Sequence, residues 1–195
     1  LIHGGSPRLS MTSIILSATV LCMDSPPSRK EVTHERIVAT AARAIRRGGF
    51  HGVGVADIMK EAGLTHGGFY AHFSSRNALL AEALERAGQD SAARLTQGIV
   101  ARQARGASPL RALVEGYLSD RHLGELEAGC PVAALASEMP RQSPEVRESS
   151  AQRVRGLIAA VRRALPQDAP ADSGPAIASQ LVGALQLARA LGDNA

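Results

Sequence analysis

The chain is poor in aromatic residues: three Phe, two Tyr and no Trp in 195 residues. An interior built almost without rings must be filled by Ala, Leu, Val and Ile, a mixture that leans towards helix. Cysteine is as scarce. Two cysteines, Cys22 and Cys130, exclude a disulfide-stapled secreted scaffold. No apolar run approaches the roughly 18 residues of a membrane-crossing helix. Neither a persuasive strand alternation nor an internal repeat is present. The hydrophobic fraction of 45% also excludes a long disordered chain. What remains is an all-α globular protein, long enough for one or two domains and a sizeable core.

What is present is unevenly distributed. Residues 29–76 hold Arg29, Lys30, Arg36, Arg43, Arg46, Arg47, Lys60 and Arg76 against Glu31, Glu35, Asp57 and Glu61. Residues 1–28 and 77–195 are each net neutral, so the whole formal charge of +4 lies in that block. Four of the six His and four of the five aromatics lie there too. A compact basic block beside a neutral remainder is the footprint of a polyanion binder, or a solvated basic face.

Residues 1–28 read as a disordered or mis-extended leader. Its apolar stretch Ser13–Cys22 has signal-peptide length but lacks a clean cleavage site, and Met11 and Met23 are both candidate starts. Ser25-Pro26-Pro27-Ser28 reads as a linker. From Thr33, a candidate N-cap, Ile37, Ala41, Ala44 and Ile45 recur at helical spacing until Gly48-Gly49. Gly54 opens a short helix over about Val55–Ala62, and Gly63 stops it. Thr65 caps another, closed by Ser74-Ser75. Longer helices follow: one from Leu80 past Leu95 and Ile99, one opened by Pro109, a short one at Pro131, one from Pro144 with Val154, Leu157, Ile158, Val161 and Leu165 on one face, and a last one carrying Ile177, Leu181 and Leu185.

The informative stretch is Val55 to Phe73. Two short helices meet at Gly63, and Ile58, Leu64 and Phe69 close a small core between them. This leaves His66, Gly67, Tyr70, Ala71 and His72 on an outer face. Gly and Ala on such a face allow close approach to a base edge, while Thr65, Tyr70 and His72 offer hydrogen bonds to phosphate. That is how a recognition helix sits in a major groove.

At these residues the chain resembles the tetracycline-repressor (TetR) family of transcriptional regulators. The resemblance runs from Ile37 to about Leu84 through Gly49-Phe50, Asp57-Ile58, Ala62-Gly63-Leu64-Thr65, Gly67 to Phe73 and Ser75 to Leu80. It implies a three-helix helix-turn-helix head over residues 29–75 and a helical effector-binding and dimerisation body over 76–195, with a C-terminus that stops short of the family's last helix. It also implies DNA contacts at Thr65, His66, Gly67, Gly68, Tyr70 and His72, with Arg76 standing where a phosphate-binding Lys is usual. The chain departs from the pattern at Val53-Gly54, where Thr or Ser usually precedes the second helix, at Gly68, where Thr is frequent, and at Met59. In the body, Gly129-Cys130-Pro131, Leu135 to Glu138 and Val146-Arg147 resemble one subgroup of these ligand domains.

The function so implied is a cytoplasmic, homodimeric repressor, released from a palindromic double-stranded DNA operator by a small-molecule effector. Its expected cavity involves Leu95, Ile99, Leu113, Val114, Tyr117, Cys130, Leu135, Ala136, Met139 and Leu157, with Leu113, Tyr117, Cys130 and Met139 as the effector contacts. Cys130, at a helix start, is either a reactive sensor thiol or a small buried residue. His66 and His72 do not share a helix face, which argues against a metal site. The glycine pairs are too short for a nucleotide loop, so no cofactor is expected. No nucleophile–base–acid set is recognisable, which leaves a helical enzyme or a non-specific DNA architectural protein as the alternatives.

Overall fold

The computed structural model describes residues 26–192. The leader through Cys22 and Met23 therefore lies outside the described residues. Ser28 is not part of a linker but the N-cap of α1 (Arg29–Gly48). Its hydroxyl accepts the Glu31 N–H at 3.2 Å, and its own N–H donates to the Glu31 carboxylate at 2.6 Å. This capping box starts the helix one turn before Thr33, whose hydroxyl instead donates to Arg29 O at 2.8 Å. The signal was Ser28-x-x-Glu31, placed ahead of the first apolar repeat. Hydrogen bonding to Ser28 holds the Glu31 carboxyl below its usual range. α1 ends at Gly49, whose φ of 76° suits glycine.

α2 (Val55–Glu61) is followed by Gly63 at φ 71° and by a six-residue 3₁₀ segment, His66–Ala71. Ser75 caps α3 (Arg76–Gln103) by accepting the Ala78 N–H at 3.0 Å. α4 (Pro109–Tyr117) and α5 (Asp120–Gly124) lead through a 3₁₀ turn, Leu126–Ala128, to α6 (Pro131–Leu135). A second turn, Met139–Arg141, precedes α7 (Pro144–Ala164) and α8 (Ser173–Leu191). Among the described residues there is no strand, and no helix is long and apolar enough to cross a membrane.

Two cores divide the molecule. The head core packs the buried face of α1 (Ile37, Val38, Ala41, Ile45) against Phe50, Ile58, Met59, Phe69 and Phe73. It extends past Arg76 along α3 through Leu79, Leu80, Ala83, Leu84 and Ala87, and takes Leu135, Met139 and Val146 from the body. The body core gathers Leu113, Tyr117, Cys130, Val132, Val161, Leu181 and Leu185, with Leu95 and Ile99 of α3 packed against it. The passage from head to body thus falls within α3, between Ala87 and Leu95. At 28 residues, α3 is about 42 Å long and serves both cores.

Candidate nucleic-acid interface and effector cavity

α2 and the 3₁₀ segment turn their apolar sides inward. Ile58, Met59, Phe69 and Phe73 are each at most 3% exposed. Phe69 and Phe73 stack with centroids 5.5 Å apart. On the other side Thr65, His66 and Gly67 are exposed, and Tyr70 is 74% exposed with its ring edge-on to Phe69. Of the outer face expected from the sequence, His66, Gly67, Tyr70 and Ala71 are exposed while His72 is half-buried, and the segment is 3₁₀ rather than α-helical. Its Gly68 N–H bonds three residues back to Thr65 O at 3.1 Å. Two adjacent glycines in six residues give little drive to the four-residue α ladder. Gly68 is half-buried, and a Cβ there would meet only Met59 Cε at 3.7 Å and Thr65 Oγ1 at 3.8 Å. The position would accept a side chain, so glycine is not a packing requirement.

His72 is half-buried, with Nδ1 enclosed and unpartnered. Burial, then the nearby His34 and Lys30, holds its pKa below the usual value, so the ring is neutral at pH 7. His34 stacks on Phe73 at 4.5 Å and its Nε2 lies 2.7 Å from Glu82 of α3, tying the start of α1 to Phe73 and α3.

Half of the basic block serves the protein itself. Arg76 donates to the carbonyls of Phe50 and Val53, bracing the turn between α1 and α2. Arg43 and Arg47 share Glu61, and Arg47 also pairs with Glu127 at 2.6 Å. Arg46 is 5% exposed and bonds to Ala42 O, Ala87 O and Gly129 O. Arg29, Lys30, Arg36 and Lys60 remain exposed. Reading the charge as one footprint missed this division, because composition does not say which guanidiniums carry carbonyls.

In the body a cavity of about 480 Å³ lies between α3, α4, α6 and α7. Leu113, Tyr117 and Cys130 line it, with Leu95, Ile99 and Leu157. Met139 does not. It is buried in the head core, because the neighbouring Glu138 carboxylate accepts the Phe50 N–H at 3.0 Å and seats this turn on the head. Leu135 is in the head core as well, while Val114 and Ala136 pack on the body core. Tyr117 is 1% exposed, and its hydroxyl has no hydrogen-bond partner. Burial, then the neighbouring Cys130, pushes that phenol well above its ordinary pKa. Cys130 is 6% exposed; its N–H donates to His122 Nε2 at 2.9 Å, while His122 Nδ1 donates to Tyr117 O at 2.7 Å. Burial lowers the His122 pKa, which favours this neutral tautomer.

A helix-turn-helix head with an open polar face, joined by one long helix to a hollow helical body, defines a DNA-binding transcriptional regulator. The comparisons with known proteins agree. The model of bacterial regulatory proteins of the tetR family matches residues 37–83, and that of the tetracyclin repressor-like C-terminal domain matches residues 106–195. The chain belongs to the TetR family. An uncharacterised HTH-type transcriptional regulator of Mycobacterium tuberculosis strain H37Rv is 30% identical over 166 residues, covering 80% of this chain and 83% of that protein. The HTH-type transcriptional repressor NemR of Escherichia coli strain K12 is 27% identical over 133 residues, 68% of this chain and 67% of the repressor. Among solved structures, a TetR regulator of Chloroflexus aurantiacus superposes with a TM-score of 0.69 at 26% identity, over 84% of this chain and 87% of that one. The reduced form of E. coli NemR superposes with a TM-score of 0.67 at 23% identity, over 81% and 87%.

Proposed function

We propose that this DNA-binding regulator is a homodimeric repressor that leaves a palindromic operator when a small molecule occupies the body cavity. The observation that carries the reading is the wiring between cavity and head. Cys130 and Pro131 line the cavity. The segment just before them touches α1 twice: Gly129 O accepts from Arg46 at 3.3 Å, and Glu127 pairs with Arg47. A ligand that moves this wall has a direct path to the head, and two heads turned away from the half-site spacing release DNA. The likeness to a protein named a transcriptional repressor supports the sign of regulation. The dimer is supported by α7 and α8. Val154, Leu187 and Leu191 are 37%, 67% and 58% exposed, on helices whose other faces are buried. A two-fold interface there would cover them. On the DNA side, Thr65, His66, Gly67, Gly68, Tyr70 and His72 form the reading face. Arg29 and Lys30, exposed at the start of α1, add phosphate contacts, and Arg76 serves as a brace for the face. A regulator of this kind works in the bacterial cytoplasm, where the operator lies.

The test is selection of bound duplexes from a random pool, with light scattering on the same preparation. Enrichment of an inverted repeat by a dimer is expected. A monomer, or recovery of duplexes without a common sequence, would replace the repressor with the DNA architectural alternative.

A further inference from the structure

Beside the large cavity the body holds a second cleft, of about 260 Å³. Ser91, Leu95 and Tyr117 line both, so the two spaces share a wall. The large cavity is walled mainly by aliphatic side chains of α3, α4 and α7, with Arg163 and Arg153, the latter paired with Glu85 at 2.7 Å, on its α7 side. The cleft is ringed by Arg94, Arg102 and Arg121, with Glu125 as its one carboxylate. Glu125 is shared between two cations: it lies 3.3 Å from Arg94 Nη1 and 3.1 Å from Arg121 Nε. One carboxylate between two guanidiniums leaves a positive excess. Arg102 adds to the field, although two of its donors are taken by the carbonyls of Gly98 and Glu115 and its Nε lies 3.9 Å from the Glu115 carboxylate. At the shared wall stands the buried Tyr117, whose hydroxyl lies beside Cys130.

We propose that the two spaces together take an amphipathic anion, with its apolar body in the large cavity and its carboxylate in the cleft on Arg94 and Arg121. This inference rests on the reading of the body as the effector site, and it names the class of effector. A carboxylate suits a pair of guanidiniums already arranged around one. An apolar cation would add to the excess charge, and a neutral molecule would leave it uncompensated. The arriving carboxylate competes with Glu125 for its two partners. Glu125 stands two residues before Glu127, which pairs with Arg47, and four before Gly129, which accepts from Arg46. Release of Glu125 therefore acts on the turn that rests on α1, and the acid group rather than the apolar body carries the signal to the head.

Isothermal titration of the full chain with decanoate, phenylbutyrate, decanol and decylamine tests this, together with release of the selected operator by each. The two acids are expected to bind about ten-fold or more tighter than decanol, with decylamine weakest. The Arg94→Gln/Arg121→Gln variant is expected to bind the acids only as well as decanol, with decanol affinity unchanged. Unchanged decanol binding shows that the variant is folded. One acid binding without the other separates chain from ring shapes within the same class, and the class stands. If decanol binds and releases DNA as well as the acids do, or if the variant keeps the acid preference, the anion inference fails while the effector reading stands. If none of the four binds at about 1 mM, the inference fails. The effector reading fails with it if a screen of unrelated small molecules also finds none that releases operator.

Discussion

Replacement of Arg46 by Met probes how the head is tied to the body. The guanidinium joins three places at once: Ala42 O in α1 at 2.9 Å, Ala87 O in α3 at 3.4 Å and Gly129 O at 3.3 Å. Its side chain is 2% exposed, with Asp90 3.9 Å away. Burial, only partly offset by Asp90, lowers its pKa from 12.5 to about 10. That depression corresponds to about 3 kcal/mol against the charged form. The folded pKa lies below the unfolded one, so the penalty is complete at every pH below about 10 and is relieved only above it. At pH 7 it applies in full. The three charge-assisted bonds to carbonyls, two of them long, return about 4–5 kcal/mol. Arg46→Met keeps the aliphatic stem and removes both contributions. The expected net loss is about 1–2 kcal/mol, well under the roughly 3–5 kcal/mol typical of a broken buried ion pair. For a chain of this size that lowers Tm by about 2–8 °C. Thermal unfolding followed by circular dichroism at pH 7 reads it. A raised Tm would mean that the carbonyl bonds do not offset desolvation. A fall beyond about 15 °C would mean that the desolvation cost was overstated. Either result refutes the balance argued for this residue.

Ser28→Ala removes half of a capping box and should cost about 1 kcal/mol in urea unfolding. Gly49→Ala and Gly63→Ala should differ. Both force a side chain to positive φ, but at Gly49 the new Cβ also meets the Glu138 carboxylate, whereas nothing lies within 4 Å of it at Gly63. The Gly49 variant should therefore lose about 2–3 kcal/mol and the Gly63 variant about 1 kcal/mol by the same measurement. In a Cys22→Ser chain, Cys130, 6% exposed, should react with Ellman's reagent slowly in the folded protein and at once in denaturant, and Cys130→Ser should keep operator affinity. Fast reaction in the folded protein, with loss of DNA binding, would make it a sensor thiol.

The head was legible in the sequence because its signals are local. Gly63, Leu64 and Phe69 at their spacing define the turn between two short helices, and the exposed run Thr65–Gly67 with Tyr70 follows from which residues the core consumes. The body was less legible. Met139 has the residue type of a cavity wall, and only the long-range bond from Glu138 to Phe50 N–H places it under the head. Arg46, Arg47 and Arg76 read as positive surface in a one-dimensional charge count, although, Ala42 apart, the partners that hold them lie between 14 and 83 residues away. The 3₁₀ form of the recognition segment escaped because hydrophobic spacing over six residues does not separate it from α-helix. Of the two cations that share Glu125, Arg121 stands at local i,i+4 spacing, while Arg94 comes from α3, 31 residues away, and left no local trace.

Fluorescence anisotropy on the selected inverted repeat tests the central claim most directly, that this chain reads DNA with the face around Tyr70. Wild type should prefer the selected duplex over a scrambled one by orders of magnitude. If Tyr70, 74% exposed, donates one phosphate hydrogen bond as proposed, Tyr70→Phe should lower affinity for both duplexes by about five-fold with helicity unchanged. Adding Thr65→Ala should lower affinity for both duplexes further, and adding His66→Ala should reduce the preference. A triple variant that remains helical and still binds the selected duplex as tightly as wild type would contradict the account.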